Sequence, residues 1–417
     1  MKILLIIASL CLISCSSYHH SNEKLSSLII LDHNGFSETI QRTKALQQYK
    51  NIDFSSPQPY KKIVVNKKNA SNGSLKTTIY TYYDNGQTKQ LLECREQRAL
   101  GEYKEWHPNG KRKLAAHIVG GDGNISLAAE KSWLFDGTSF AWDENENLMA
   151  KINYKNGLLN GSYITYHTNG NIKERSEYLA NKIDKIACVF YKNGVLSKEV
   201  EYNNGTRHGC SKSYNINQTL SSKELYNQGL LKEGLYFGPR NNPVGEIVSG
   251  SGKKYIYFKD GRIKIVSYQN GVANGLIQNI GPCGHLQREY YIKGDVKNGP
   301  ETLYYPDSTQ PQTTLPWFNG SLQGVSQTWY KGGQKESSKE ISNNKRNGIS
   351  MIWYHDGSLM MIEEYENDHL KKGSYHKIRS NDSVSLVKNG SGFVTLFDPY
   401  GNFIRKIEYY NGNPSQK

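Results

Sequence analysis

Signatures of catalysis are missing from this 417-residue chain. Neither His-Glu-x-x-His, Cys-x-x-Cys nor Gly-x-Ser-x-Gly occurs, which removes the familiar patterns of zinc hydrolases, dithiol enzymes and serine hydrolases. Cysteine is scarce at six residues; Cys11 and Cys15 fall in the opening segment, and Cys94, Cys188, Cys210 and Cys283 are widely scattered. Such spacing builds no disulfide framework. Cys188 and Cys210 lie in neighbouring stretches of like pattern whose strands are expected to be adjacent. Their registers differ by two residues, so a bond would be strained and a role as small apolar side chains is expected. No apolar run reaches the roughly 20 residues that a membrane-crossing helix needs. Gly250-Ser251-Gly252-Lys253-Lys254 lacks the preceding glycine of a phosphate-binding loop and leads into strand-like Tyr255-Ile256-Tyr257. Gly281-Pro282-Cys283-Gly284-His285 places a thiol near an imidazole, at a point where other blocks carry a turn, but no third group is fixed to orient the histidine. His19 and His20 have no further ligands beside them, so neither a metal site nor a cofactor is expected.

Turn residues and aromatics are what the chain holds in quantity. Asn-Gly occurs sixteen times and Asp-Gly four, and these dipeptides tolerate positive φ and suit two-residue hairpin turns. Aromatics keep a 24-residue step: Trp142, Tyr166, Phe190 and Tyr214 form one series, Tyr154, Tyr178, Tyr202 and Tyr226 a second half a period away. Tyr305, Trp329 and Trp353 resume the first series, and Trp106 is a further expected repeat-packing ring. Gly275, Gly299, Gly324, Gly348 and Gly373 close successive blocks at steps of 24 or 25. A helix is excluded here, because a Gly or Asn-Gly every dozen residues costs about 1 kcal/mol each and interrupts any amphipathic run. Short strands, hairpin after hairpin, are predicted instead.

The repeated form is Gly-x-x-x-x-Trp-Tyr-x-x-Gly, as at Gly348 to Gly357, followed by Tyr-x-Asn-Gly-x-x-x-Gly, as at Tyr268 to Gly275. It resembles the bacterial variant of the MORN repeat, over roughly residues 78 to 413, in proteins often grouped as YwqK-type antitoxins. The resemblance implies an all-β fold, an elongated array of tandem antiparallel hairpins in a single-layer twisted sheet, serving as an interaction or membrane-associated scaffold. Three stretches depart from the pattern: residues 114 to 136, with a helical turn expected over Ser126 to Lys131; the long block from Gly234 to Gly275; and a loop marked by Pro306, Pro311 and Pro316.

At the start, Met1-Lys2 precedes an apolar run from Ile3 to Ile13, and Leu12-Ile13-Ser14-Cys15 resembles the lipobox of bacterial lipoproteins. The resemblance implies a signal peptide over residues 1–14 and lipidation of Cys15, with Ser16 favouring the outer membrane. Residues 15–68 are read as a tether and N-terminal cap, with a short helix over Thr43 to Tyr49 and a first strand over Ile63 to Asn66, and residues 69–417 as the repeat array.

Lysine and arginine total 52 against 38 acidic residues, giving +14. That charge suits an anionic lipid, an envelope polysaccharide or an acidic envelope protein, or it merely blunts exposed strand edges. Nucleic acid is not expected for an exported chain. The recurring rings either pack repeat on repeat or offer a repeated binding surface. The expected function is a membrane-anchored, non-enzymatic scaffold in the bacterial envelope, with periplasmic or surface exposure open; the alternative is an antitoxin or immunity protein that neutralises a toxin.

Overall fold

A computed structural model describes residues 24–31, 37–54, 56–57, 61–69, 73–306 and 308–415. The expected signal peptide 1–14, Cys15 and the expected tether residues 18–22 lie outside the described residues. The fold is all-β, antiparallel hairpins following one another along the chain, with short helices at Thr43–Gln47 and Leu127–Glu130. Both helices fall where the sequence placed them. The chain divides into two compact units, the first running to Asp184 with Lys192–Gly194 added, the second comprising Lys185–Tyr191 and everything from Val195.

In the first unit, strand Lys24–Leu31 pairs with Ser37–Ile40 on one side and Lys61–Asn69 on the other. Leu28, Ile40, Leu46 and Val64 close a small core beneath the first helix. A second core gathers Leu92, Cys94, Ala99, Tyr103, Ile118 and Trp133. It explains the interruption at 114 to 136. After strand Arg112–Gly120 the chain leaves the ladder for a helix capped by Ser126, whose hydroxyl accepts from the Ala129 N–H. This detour sets Trp133 edge-on to Tyr103, ring centroids 4.7 Å apart.

Asn-Gly plays three parts, not the single one expected. At His167 to Asn171 it closes a five-residue turn: His167 N–H reaches Asn171 O at 2.8 Å, Gly170 N–H reaches His167 O at 2.9 Å, and only Gly170 has positive φ. Asn169 stays right-handed, its side-chain amide donating to the Lys192 carbonyl at 2.8 Å. At Asn156-Gly157 both residues are left-handed (φ 49° and 81°), and Lys155 pairs directly with Leu158, a two-residue turn. The Asn-Gly pairs ending at Gly161, Gly275, Gly299 and Gly348 are not turns at all but lie within strands.

These strand glycines fix the second aromatic series. Four strand glycines sit at positive φ beside a register shift with a tyrosine as cross-strand partner: Gly137 faces Tyr154, Gly161 faces Tyr178, Gly209 faces Tyr226 and Gly348 faces Tyr365; Gly275 faces Ile292 and Gly299 faces Trp317 instead. A Cβ on Gly209 or Gly348 would stand against Glu201 or Glu340, whose carboxylates accept the next backbone N–H, from Cys210 at 3.0 Å and Ile349 at 2.9 Å. One step of the series lacks glycine. Lys185 holds the position opposite Tyr202 with φ 61°.

In the second unit the long block from Gly234 to Gly275 contains an extra hairpin, strands Pro243–Val248 and Ser251–Tyr257. The expected proline loop is mostly strand: Pro311 opens strand Pro311–Phe318 and Pro316 lies within it. Proline is tolerated there because the ladder is already open. Next to it Gly324 bulges, and the Pro316 carbonyl takes the Gln323 N–H at 2.9 Å.

Candidate functional site

The first aromatic series ends strands. Trp106, Trp142, Tyr166, Phe190, Tyr214, Trp329 and Trp353 are each the last residue of a strand, half-buried, and beside a one-residue register shift. In the block expected to offer Tyr305, the strand-end place belongs to Tyr304, and the chain between Tyr304 and Trp329 is one residue longer than the usual step. Tyr305 instead joins a ladder that sequence reasoning missed. The residue after the strand-end ring donates its hydroxyl to the carbonyl of the next block's strand-end residue: Tyr83 to Trp106 at 2.9 Å, Tyr191 to Tyr214 at 2.8 Å, Tyr305 to Trp329, Tyr330 to Trp353 and Tyr354 to His376, these three at 2.7 Å. Burial, with Asp356 and Asp398 nearby, pushes the Tyr354 phenol up to about 12, so it remains a donor. The aromatic-pair spelling held the signal, since only the second ring of each pair can reach the following block.

Two stretches of the second unit, residues 206–271 and 345–412, are built on one plan. Tyr226, Leu231, Tyr236 and Ile247 form the core of the earlier module, and Tyr365, Leu370, Tyr375 and Val387 take the same places in the later one. Turn glycines stitch each module shut: Leu231 N–H to Gly271 O and Gly271 N–H to Gly250 O, matched by Leu370 N–H to Gly412 O and Gly412 N–H to Gly390 O. Each core buries a carboxylate. Glu224 accepts from Tyr226 at 3.1 Å and Tyr236 at 2.8 Å; Glu363 accepts from Tyr365 at 3.1 Å and Tyr375 at 2.8 Å. An arginine lies over the first tyrosine of each pair, Arg207 at 5.4 Å and Arg346 at 3.9 Å from the ring centroid.

The modules diverge along one row of cross-strand neighbours. In the earlier module the row runs Ser213, Ser222, Tyr236 and is continued by Lys198 on the preceding strand Leu196–Asn203; directly opposed residues share a face of the sheet. Beside it Lys254 donates to Glu224 at 2.5 Å and lies 5.8 Å from the Tyr236 ring centroid. In the later module the row reads Ser337, Ile352, Met361, Tyr375, and Val394 takes the place of Lys254. A polar lane in one module is, beyond Ser337, an apolar seam in the other.

Electrostatics follow the residues. Burial pushes Glu224 up, but the Lys254 ammonium and the hydrogen bonds from Lys254, Tyr236 and Tyr226 outweigh it and hold the carboxyl below its usual range. Burial, reinforced by Arg207 and Lys254, pulls Lys198 below the usual lysine range against the pull of Glu224. Arg346 has Asp368 as a partner at 3.4 Å, whereas among the described residues Arg207 reaches tyrosine hydroxyls alone, Tyr226 at 3.4 Å and Tyr202. A third buried carboxylate, Glu301, is held by Lys297 at 2.6 Å, by Arg288 and by the Trp317 indole at 2.6 Å.

Other residues singled out in the sequence fall elsewhere. Cys283 is an exposed free thiol in the five-residue turn from Gly281 to His285, the turn expected there. Cys188 and Cys210 are free, and the strands carrying them are not adjacent, because Leu196–Asn203 lies between. Cys188 is buried and Cys210 half-buried, while Cys94 belongs to a core. Among the described residues no group of three or more His, Cys, Asp and Glu side chains is placed to hold a metal ion.

Residues 99–117, 135–156, 159–180 and 184–204 match the MORN repeat variant. Four copies of the MORN repeat variant therefore lie between residues 99 and 204. Each match spans two strands and the five-residue turn between them, so one MORN copy is one such hairpin; two-residue turns join the last three copies, and the helical detour joins the first to the second. No curated protein matches the chain significantly. Residues 206–271 and 345–412 lie beyond the matched copies, while Lys198 falls in the last of them.

Proposed function

We propose that this MORN-repeat protein is a non-enzymatic binding scaffold, leashed by lipid on Cys15 to the outer membrane of a bacterial envelope. The tyrosine ladder carries the scaffold half of this reading: successive blocks are locked by side chain to backbone hydrogen bonds, which makes a stiff surface of repeated strands. The anchor half rests on the run Ile3 to Ile13 ahead of Leu12-Ile13-Ser14-Cys15, since several acyl chains on one cysteine hold a chain at a membrane effectively permanently. The charge of +14 favours an anionic envelope partner, whether protein, lipid or polysaccharide.

Expression of Cys15→Ala in a bacterial host tests the anchor. Release of the chain from the membrane fraction is expected, and continued membrane fractionation would contradict it. Pull-down from envelope extracts with the chain as bait tests the scaffold. Envelope components captured in a salt-sensitive way fit the scaffold; a single dominant protein partner whose toxicity the chain suppresses would place it with the toxin-neutralising proteins its repeats resemble.

A further inference from the structure

We propose that the lane formed by Lys198, Ser213, Ser222 and Lys254, with Arg207 at its side, is a binding site for a doubly charged oxyanion of the phosphate class. It rests on the scaffold reading only in that the site binds and does not react.

Three observations point there. First, the cluster sets the cations of Lys198, Arg207 and Lys254 against the single carboxylate of Glu224, a surplus of two positive charges on half-buried side chains. A dianion cancels that surplus; a monoanion leaves half of it. Secondly, the lane offers donors without partners: among the described residues nothing pairs with the Lys198 ammonium or with the hydroxyls of Ser213 and Ser222, all half-buried on one face over adjacent strands. Charge-assisted donors in such a setting are the strong ones for an oxyanion. Thirdly, the later module is an internal control. It keeps the glutamate, both tyrosines, the arginine and the stitching glycines, yet carries Ser337, Ile352, Met361 and Val394 where the earlier one has Lys198, Ser213, Ser222 and Lys254. The shared frame therefore does not require the lysines: apolar side chains take three of the four places and Ser337 the fourth, and the tyrosine-to-glutamate hydrogen bonds persist. Lysines crowded into a half-buried row cost stability, as the depressed Lys198 indicates; a bound dianion reverses that cost.

Calorimetric titration of the full chain with inorganic phosphate is expected to show saturable, salt-sensitive binding. Lys198→Ser with Lys254→Val, which copies the later module, is expected to weaken it at least about tenfold per lysine removed. Lys198→Gln alone guards against misfolding and should weaken binding while leaving the far-ultraviolet spectrum unchanged. Flotation with vesicles of phosphatidic acid in phosphatidylcholine separates two sources of the same chemistry: lane-dependent flotation assigns a headgroup, phosphate binding without flotation a soluble ion. No saturable phosphate binding, or equal binding by wild type and both variants, overturns the site. Capture of an envelope partner in the pull-down alongside that result would leave the scaffold reading standing.

Discussion

Within the second unit, Glu224 shares its burial with Lys254 and opens onto a row of lysine and serine, while Glu363 in the matching module takes two tyrosine hydroxyls beside Ile352, Met361 and Val394. The backbone plan, the turn glycines and the tyrosine pair are common to both. Sheet architecture and surface chemistry are thus separable here. The later module gathers a larger apolar core, adding Tyr354, Met360, Met361, Val394 and Phe397, and is finished as a packing element. The earlier one gives up those contacts and keeps charge.

The largest difference between the modules should come from removing the carboxylates. Glu224→Ala strands the Lys254 ammonium and two hydroxyls and is expected to cost about 3–5 kcal/mol. Glu363→Ala strands two hydroxyls but no ion-paired cation, and about 1–3 kcal/mol is expected. Denaturant unfolding of both variants checks the order, and equal losses would erase the distinction. Next, Tyr354→Phe removes the 2.7 Å bond to His376 O without emptying the core. About 1 kcal/mol is expected, with little change in denaturant slope; no loss would deny the ladder its role. Lys185→Gly should act the other way, raising stability by about 0.5–1 kcal/mol, because the lysine is held at φ 61° where the other strands have glycine.

The smallest effect concerns pH. Glu224 is held below its usual range, so its stabilisation is fully present above the unfolded carboxylate value of about 4.3 and is lost as pH falls through the lower folded value. Amide exchange over Leu220–Asn227 is therefore expected to accelerate below about pH 4 in wild type, and Glu224→Gln should lack that step. Persistence of the step in the glutamine variant would assign it to another group, with Glu301, also held low by Lys297, Arg288 and Trp317, the first to examine.

Much of the fold was legible because local chemistry repeats. A 24-residue aromatic step and dense turn dipeptides name hairpins, and the break in that pattern marks the helical turn over Ser126 to Lys131. What one dipeptide does was not legible. Asn169-Gly170, Asn156-Gly157 and Asn160-Gly161 read alike yet make a five-residue turn, a two-residue turn and a strand bulge, since the choice depends on which partner strand is in register. The 24-residue spacing points one place off, to Tyr305, because an extra residue enters the block after Tyr304. The candidate site was hidden for a related reason. Lys198, Ser213 and Ser222 become neighbours only through cross-strand pairing, and the duplication relating them to Ser337, Ile352 and Met361 shares too few residues to show without coordinates.

The most direct test is thermal unfolding, with and without phosphate, of wild type and of the fourfold variant Lys198→Ser, Ser213→Ile, Ser222→Met, Lys254→Val. The expected result is a variant that melts higher than wild type without phosphate and ignores it, while wild type is raised by it. A variant that melts lower, or one that phosphate raises as much as wild type, would contradict the division between a packing module and a binding one.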